Sequence, residues 1–437
     1  MTGFTLVIVF FGSLLVLIVA NVPLAFALAF TGLFWGFFLW GADAMYVLAQ
    51  STWATMSNFI LLAVPLFIIM ATILLRSGIV DGLYRAALVW SGPLRGGLAI
   101  LTVVIGAILA ACSGIAGAGI VTMGIIGLPA MLKHKYDKNI AIGSILGGGT
   151  LGQLIPPSVL MIIYGAATNV SVGKLFMGGF TLGGLLALLY IGYIGLRCAF
   201  NPRLGPPLPI EERRQATWTV KLKLTREVIL PAMLIVLVLG SIFAGIATPT
   251  EAAGVGAIGA FVCALIHRKV NWKFMKDSSF QAIKITCMVM WIVLGAKIFG
   301  VVFSGSGGHR LMEELLLGVG GAWLSFAVMQ LIIFVLGMFI DPVAIVMICG
   351  PLFSGIAISL GFDPLWFGLI FMVNLQASYL TPPFGYSLYY IKGVAPKEIV
   401  LGDIFRSALP FIGLQIIGLL LAIRFPIIAL VLPRMMK

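Results

Sequence analysis

The chain has 437 residues, 61% of them hydrophobic and 9% charged, with a mean hydropathy of +1.16. A soluble domain carries about 25% charged residues and 45–50% apolar ones, so a water-soluble fold is excluded. Lys and Arg number 27 against 14 Asp and Glu, a net charge of +13, and on so apolar a chain that excess belongs to cytoplasmic loops beside anionic lipid rather than to nucleic-acid binding.

A helix needs about 20 apolar residues to cross the hydrocarbon core. The first run, 4–20, lacks a basic leader and a small-residue cleavage site, so it reads as a membrane span rather than a signal peptide. Runs at 24–40 and 58–75 follow, then two long apolar stretches that small residues or prolines interrupt, 98–132 and 140–167. The first of these contains the small-residue patch 111–119, including Ser113 and Gly114. The second contains Gly147-Gly148-Gly149-Thr150 and then Pro156-Pro157-Ser158. Consecutive prolines remove two amide donors and clash with the preceding turn, so a helix cannot continue through them.

After a span at 175–196 comes the only extended polar segment, 201–227, with Arg203, Arg213, Arg214, Lys221, Lys223 and Arg226 and a proline-rich patch at Pro206, Pro207 and Pro209. Its composition reads as a cytoplasmic linker between two halves. Further runs lie at 228–243, 252–266, 285–303 and 409–421, with interrupted stretches at 324–360 and 367–391. The Thr248-Pro249-Thr250-Glu251 sequence reads as a helix start, Glu251 capping from the first turn. Lys297 lies inside an apolar run, and two readings stand for it: a buried cation meeting an anionic substrate or Asp341, or a lysine reaching headgroups from an internal interface. Asp341, beside Pro342 and four residues after Gly337, is an ionisable group in an apolar run and hence a functional candidate. The 367–391 stretch carries Ser378, Thr381, Pro382-Pro383 and Phe384.

No strand alternation of the barrel type occurs. The expected fold is an all-α integral membrane protein with about ten or eleven transmembrane helices and two re-entrant helical hairpins. No HExxH, Ser/His or paired acidic motif lies on an apolar face, so no enzyme activity is expected. The five cysteines form no CxxC pair and the three histidines are isolated, so neither a disulfide framework nor a metal site built on them is expected, and no organic cofactor is.

The halves share punctuation. Pro23 and Pro249, Asp137 and Asp363, and the diprolines Pro156-Pro157 and Pro382-Pro383 are each 226 positions apart. Basic loops swap between equivalent positions: Lys133-His134-Lys135 has a cation-free counterpart at 359–364, and His267-Arg268-Lys269 one at 41–50. By the positive-inside rule, equivalent loops then face opposite sides of the membrane. The expected organisation is an inverted repeat, residues 1–200 and 228–437, joined by the basic linker 201–227. Arg310, Arg434 and Lys437 leave the side of the C-terminus open. Inverted repeats with broken helices are the build of secondary transporters, because backbone unwound at membrane depth must line a protein-enclosed site. For the 111–119 patch, a hairpin tip and simple close helix contact both remain available.

Asn21-Val22-Pro23-Leu24-Ala25-Phe26, Thr248-Pro249-Thr250-Glu251-Ala252-Ala253, Ile155-Pro156-Pro157-Ser158 and Leu380-Thr381-Pro382-Pro383-Phe384-Gly385 resemble the large membrane subunit of tripartite ATP-independent periplasmic (TRAP) transporters. The resemblance runs from Asn21 to beyond Gly385. It implies a sodium-coupled, elevator-type importer of organic acids, carboxylates or sulfonates, in a bacterial inner membrane. It also implies a small four-helix membrane subunit and a periplasmic substrate-binding protein as partners. By that similarity one sodium site uses Ser113, Gly114, Gly147 and Thr150, and the other uses Gly337, Ser378, Thr381 and the Phe384 carbonyl. Ser378 stands where glycine is common in the family, and Lys297 where a small residue is expected. Lys297, Asn58, Ser158 and Asp341 are the substrate-binding candidates. The rival expectation is a stand-alone sodium/carboxylate symporter that needs no binding protein.

Overall fold

The computed structural model describes residues 3–114, 116–215 and 217–436, and all regular structure among them is helical. Among the described residues, seven helices are long and apolar enough to cross a membrane, the longest being Trp272–Gly305 and Val172–Phe200. Two others, Ala322–Phe339 and Pro342–Ser359, are the consecutive arms of a hairpin that turns at Ile340 and Asp341. Shorter apolar helices, among them Leu24–Trp40 and Val159–Thr168, fill the rest. Large apolar side chains such as Phe26, Phe30, Phe37 and Trp53 lie exposed on the outside, as a surface solvated by lipid requires.

Helices recur in the same order along the two halves. Leu24–Trp40 has its counterpart in Pro249–Ile266, the arms Gly97–Ser113 and Ala116–Lys133 in Ala322–Phe339 and Pro342–Ser359, and Val172–Phe200 in Leu401–Arg424. Asp137 and Asp363 do the same local work: each carboxylate accepts from amides in the first turn of its helix, Asn139 and Ile140 in one case and Trp366 in the other. The second half's first helix, Trp218–Phe243, begins inside the segment read as a linker, with Thr217 as its N-cap residue.

Contacts cross between halves. Leu24–Trp40 lies against Trp272–Gly305 so closely that a Cβ on Gly32 would stand 2.9 Å from Phe299 N. Phe10, Phe11, Trp35, Phe299 and Phe303 form an aromatic cluster around that crossing. Edge-to-face rings of this kind add about 0.5–1.5 kcal/mol per pair beyond area burial. Phe59–Arg76 and Pro249–Ile266 pair likewise, tied by Thr250 Oγ1 donating to Phe59 O at 3.2 Å. The expected capping box at that second helix is present: Glu251 N donates to Thr248 Oγ1 at 3.3 Å, and Glu251 Oε2 accepts from Thr248 N at 2.8 Å.

Candidate functional site

Both diproline segments interrupt a helix. Lys138–Thr150 tightens into a single 3₁₀ turn, Leu151–Gln153, and regular structure resumes only at Val159. Pro364–Ser378 stops before Thr381-Pro382-Pro383, and the chain becomes helical again at Tyr386. Each Pro-Pro peptide is cis. The unwound backbone between such segments leaves carbonyls with no intrahelical partner.

A hairpin tip rests on each break. At the first, Gly114 O accepts from Val159 N at 3.4 Å. Gly114 has φ +61, and a Cβ there would strike Pro157 O, so glycine is required twice over, for conformation and for approach. Ser113 ends the Gly97–Ser113 arm, and its side chain lies outside the described residues. At the second break, Gly337 sits directly over Ser378, and a Cβ would overlap the Ser378 hydroxyl. Phe339 meets Phe384 with ring centroids 5.5 Å apart. Each tip thus touches the interrupted helix of its own half.

The three glycines before the first break face three neighbours: Gly147 the Phe411 ring, Gly148 Val103, and Gly149 Ile120. Gly148 and Gly149 therefore meet the hairpin arms. Gly147 turns its Cα to the Leu401–Arg424 helix, while its carbonyl accepts from Thr150 Oγ1 at 2.9 Å. Ser378 Oγ donates to Leu375 O at 2.7 Å and Thr381 Oγ1 to Ala377 O at 2.8 Å. Both hydroxyls keep their oxygen lone pairs available to a further partner.

The two breaks differ in exposure. Leu154 to Ser158 are all buried, whereas Pro383 and Phe384 reach the surface, Phe384 at 55%. Ile155 and Leu154 O lie against Gly183 and Gly179 of Val172–Phe200. Phe384 has the Phe339 ring on one side and remains exposed on the other.

The substrate candidates separate. Asn58 and Lys297 line one cavity of about 180 Å³, with Thr55 and Met347. Asp341 lines another of about 120 Å³, with Gly114, Gln153, Tyr379 and Tyr390. Of the readings open to Lys297, pairing with Asp341 is not the arrangement seen: the Trp272–Gly305 helix carries Lys297 to a different cavity from the hairpin tip. Asp341 caps Pro342–Ser359 through Val343 N at 2.8 Å, and Gly114 of the first tip lines the same cavity. Asn58 Oδ1 accepts from Ile60 N at 3.0 Å, capping the turn Phe59–Leu62. Ser158 is fully buried, its hydroxyl accepting from Met161 N at 3.4 Å, and it lines neither cavity.

Sequence reading missed the polar centre. Thr150 Oγ1 accepts from Gln376 Nε2 at 3.4 Å and from Gln415 Nε2 at 3.5 Å. Gln153 Nε2 donates to Met372 O at 3.3 Å, and Asn374 Nδ2 to Gln330 Oε1 at 2.8 Å. Gln153 Oε1, Gln376 Oε1, Gln415 Oε1 and the Tyr190 and Tyr379 hydroxyls are buried without a hydrogen bond. Uncharged amides inside apolar spans were the available signal, since each must find a partner in a medium without water. Gln330 Nε2 is likewise buried without a partner, so unpaired donors and acceptors lie together in this interior, an arrangement that suits ordered water.

Two interrupted helices, each met by a hairpin tip, with one cavity reaching residues of both, fit the class of multi-pass helical secondary transporters. Residues 11–428 match the family described as tripartite ATP-independent periplasmic transporter, DctM component. The C4-dicarboxylate TRAP transporter large permease protein DctM of Vibrio cholerae is 34% identical over 96% of this chain and 96% of its own. The protein of that same description from Pseudomonas aeruginosa is 32% identical over 90% and 91%. The YdaH transporter of Alcanivorax borkumensis, described as having an unusual topology, shares the fold with a TM-score of 0.58. Its identity is 16%, over 91% of this chain and 89% of that one. The chain belongs to the DctM family: it is a TRAP transporter large permease, a multi-pass protein of the inner membrane.

Proposed function

We propose that this permease imports an organic acid anion together with sodium, taking the anion from a periplasmic binding protein and working beside a small membrane subunit. The observation that carries the reading is the docking of each hairpin tip on a helix break, Gly114 on Pro157 and Val159, and Gly337 on Ser378. Unwound carbonyls there can replace a cation's hydration shell, and helix ends pointing at the same place favour a carboxylate. One sodium site takes oxygen from Ser113, Gly114, Gly147 and Thr150, the other from Gly337, Ser378, Thr381 and Phe384.

Residues 1–200 and 228–437 act as two copies of one unit in opposite orientation, joined through 201–227. The tips and broken helices move as one body against the frame of long crossing helices. The unequal exposure of the breaks, Phe384 open and Ser158 closed, supports a state accessible from one side. Lys297 and Asn58 supply a cation and an amide at the edge of the path, and Asp341 stands at the second tip. The C4-dicarboxylate named for both relatives makes a small carboxylate the substrate class to try first.

The test is uptake into proteoliposomes holding this permease and its small subunit, with the binding protein outside. Accumulation is expected only with an inward sodium gradient and only with the binding protein present. Uptake by the permease alone, or uptake indifferent to sodium, rejects the reading.

A further inference from the structure

A cavity of about 390 Å³ lies between the helices Phe59–Arg76 and Trp272–Gly305, and none of its lining residues belongs to either break. Pro65, Ile69 and Ile73 line one wall at a spacing of four, and Met275, Ser279 and Ile283 line the other at the same spacing. Residues four apart share a helix face, so the cavity is a trough parallel to both helix axes. Between Pro65 and Ile73 it runs for roughly 12 Å.

Charge sets its depth. Arg76, the last residue of its helix, pairs with Asp277 at 3.5 Å, and Lys273 and Lys276 are exposed close by. That end of the trough therefore stands at the cytoplasmic headgroups. Lys284, exposed further along the same helix, reaches that level by extending its aliphatic stem. Pro65 lies about 16 Å of rise below Arg76, close to half of a hydrocarbon core about 30 Å thick. The trough thus spans one leaflet, the space that a single acyl chain occupies. One unmet polar group marks its headgroup end. Ser278 follows Asp277 and lines the trough, 3% exposed, and its hydroxyl has no hydrogen-bond partner. A serine inside a helix can donate to the carbonyl one turn back, but this one does not, and a buried polar group calls for a partner. Just beneath the headgroups, the acceptor a lipid brings is its ester carbonyl.

We infer that this trough holds one acyl chain of a cytoplasmic-leaflet phospholipid, the Ser278 hydroxyl donating to its ester carbonyl. The chain runs along the exposed side chains of Ile69 and Ile283 and ends beside Pro65 and Cys287, filling the seam between the two helices. The headgroup is not selected, since Arg76 and Asp277 already satisfy each other.

The full permease, stripped of lipid in detergent, is offered two phosphatidylcholines of equal chain length, one ester-linked and one ether-linked, and retained lipid is counted by native mass spectrometry. The ether form lacks the carbonyl acceptor. The wild type is expected to retain the ester form about five-fold better, the scale of one hydrogen bond. Ser278→Ala should hold both lipids at the ether level. Ile283→Trp, which puts a ring into the trough, should retain neither, whereas Ile258→Trp, at a comparably exposed site outside it, should behave as wild type. Cys287 reports from the far end, being a free and exposed thiol. Its alkylation by N-ethylmaleimide, read by peptide mapping, should slow when the ester lipid is bound. Equal retention of the two lipids by the wild type, or wild-type retention by Ile283→Trp, overturns the proposal. So does protection of Cys287 by the small subunit in a lipid-free sample, which makes that subunit the occupant.

Discussion

Thr150 Oγ1 and Gln376 Nε2 lie 3.4 Å apart although 226 positions separate them, the same spacing that relates the two diprolines. If the halves are two copies of one unit, as proposed above, these are equivalent positions and the contact lies between the copies. The contact is buried, and Thr150 holds it by donating to Gly147 O while accepting from Gln376 and Gln415.

Thr150→Val removes the acceptor for two buried amides at once. An unsatisfied buried donor costs about 1–3 kcal/mol, so the variant should lose stability on that scale, and Thr150→Ser should keep most of it. Thermal unfolding of the detergent-purified permease reads both. Equal midpoints for Val and wild type would show the amides find other partners.

Gly337→Ala should abolish uptake, because the new methyl overlaps the Ser378 hydroxyl. Adding Ser378→Gly removes that obstacle. The double variant is expected to recover a substantial part of the activity, with a coupling of roughly 0.5–3 kcal/mol between neighbours in contact. Additive losses would place the defect elsewhere.

Gly114→Ala meets both a left-handed φ and Pro157 O. Backbone strain of about 1–3 kcal/mol is expected at such a position, together with at least a ten-fold fall in uptake at normal membrane abundance. Wild-type uptake would show that the tip does not need its close seat on the break.

Thr381→Ala should raise the sodium concentration needed for half-maximal uptake several-fold and leave binding-protein dependence intact. Sodium activation curves of the reconstituted system decide this. An unchanged curve removes Thr381 from the ion site.

Lys297→Gln should raise the apparent KM for an acidic substrate about five-fold or more while assembly with the small subunit persists, since a cation facing a carboxylate contributes on the order of 1 kcal/mol when solvent reaches it. The side chain is exposed in the isolated chain. Unchanged transport kinetics would leave it a headgroup-facing lysine.

Composition and punctuation by themselves determined much of this protein. Apolar runs dictate helices because lipid cannot satisfy an unpaired backbone, and the diprolines dictate where two of those helices stop. The capping residues Asp137, Asp363 and Glu251 were equally legible, because capping acts within a few residues of sequence. Tertiary structure alone decided which side chains meet. Lys297 and Asp341 look alike in sequence, each an isolated charge in an apolar run, yet helix crossing sends them to separate cavities. Gln415 and Tyr190 join Thr150 and Gln376 from distant helices, and their environment exists only once those helices cross. The same holds for exposure: Ser158 and Phe384 follow matching diprolines, but only the fold buries one and opens the other. Local rules reach a few residues along the chain, whereas a site assembled from both halves depends on how those halves are apposed.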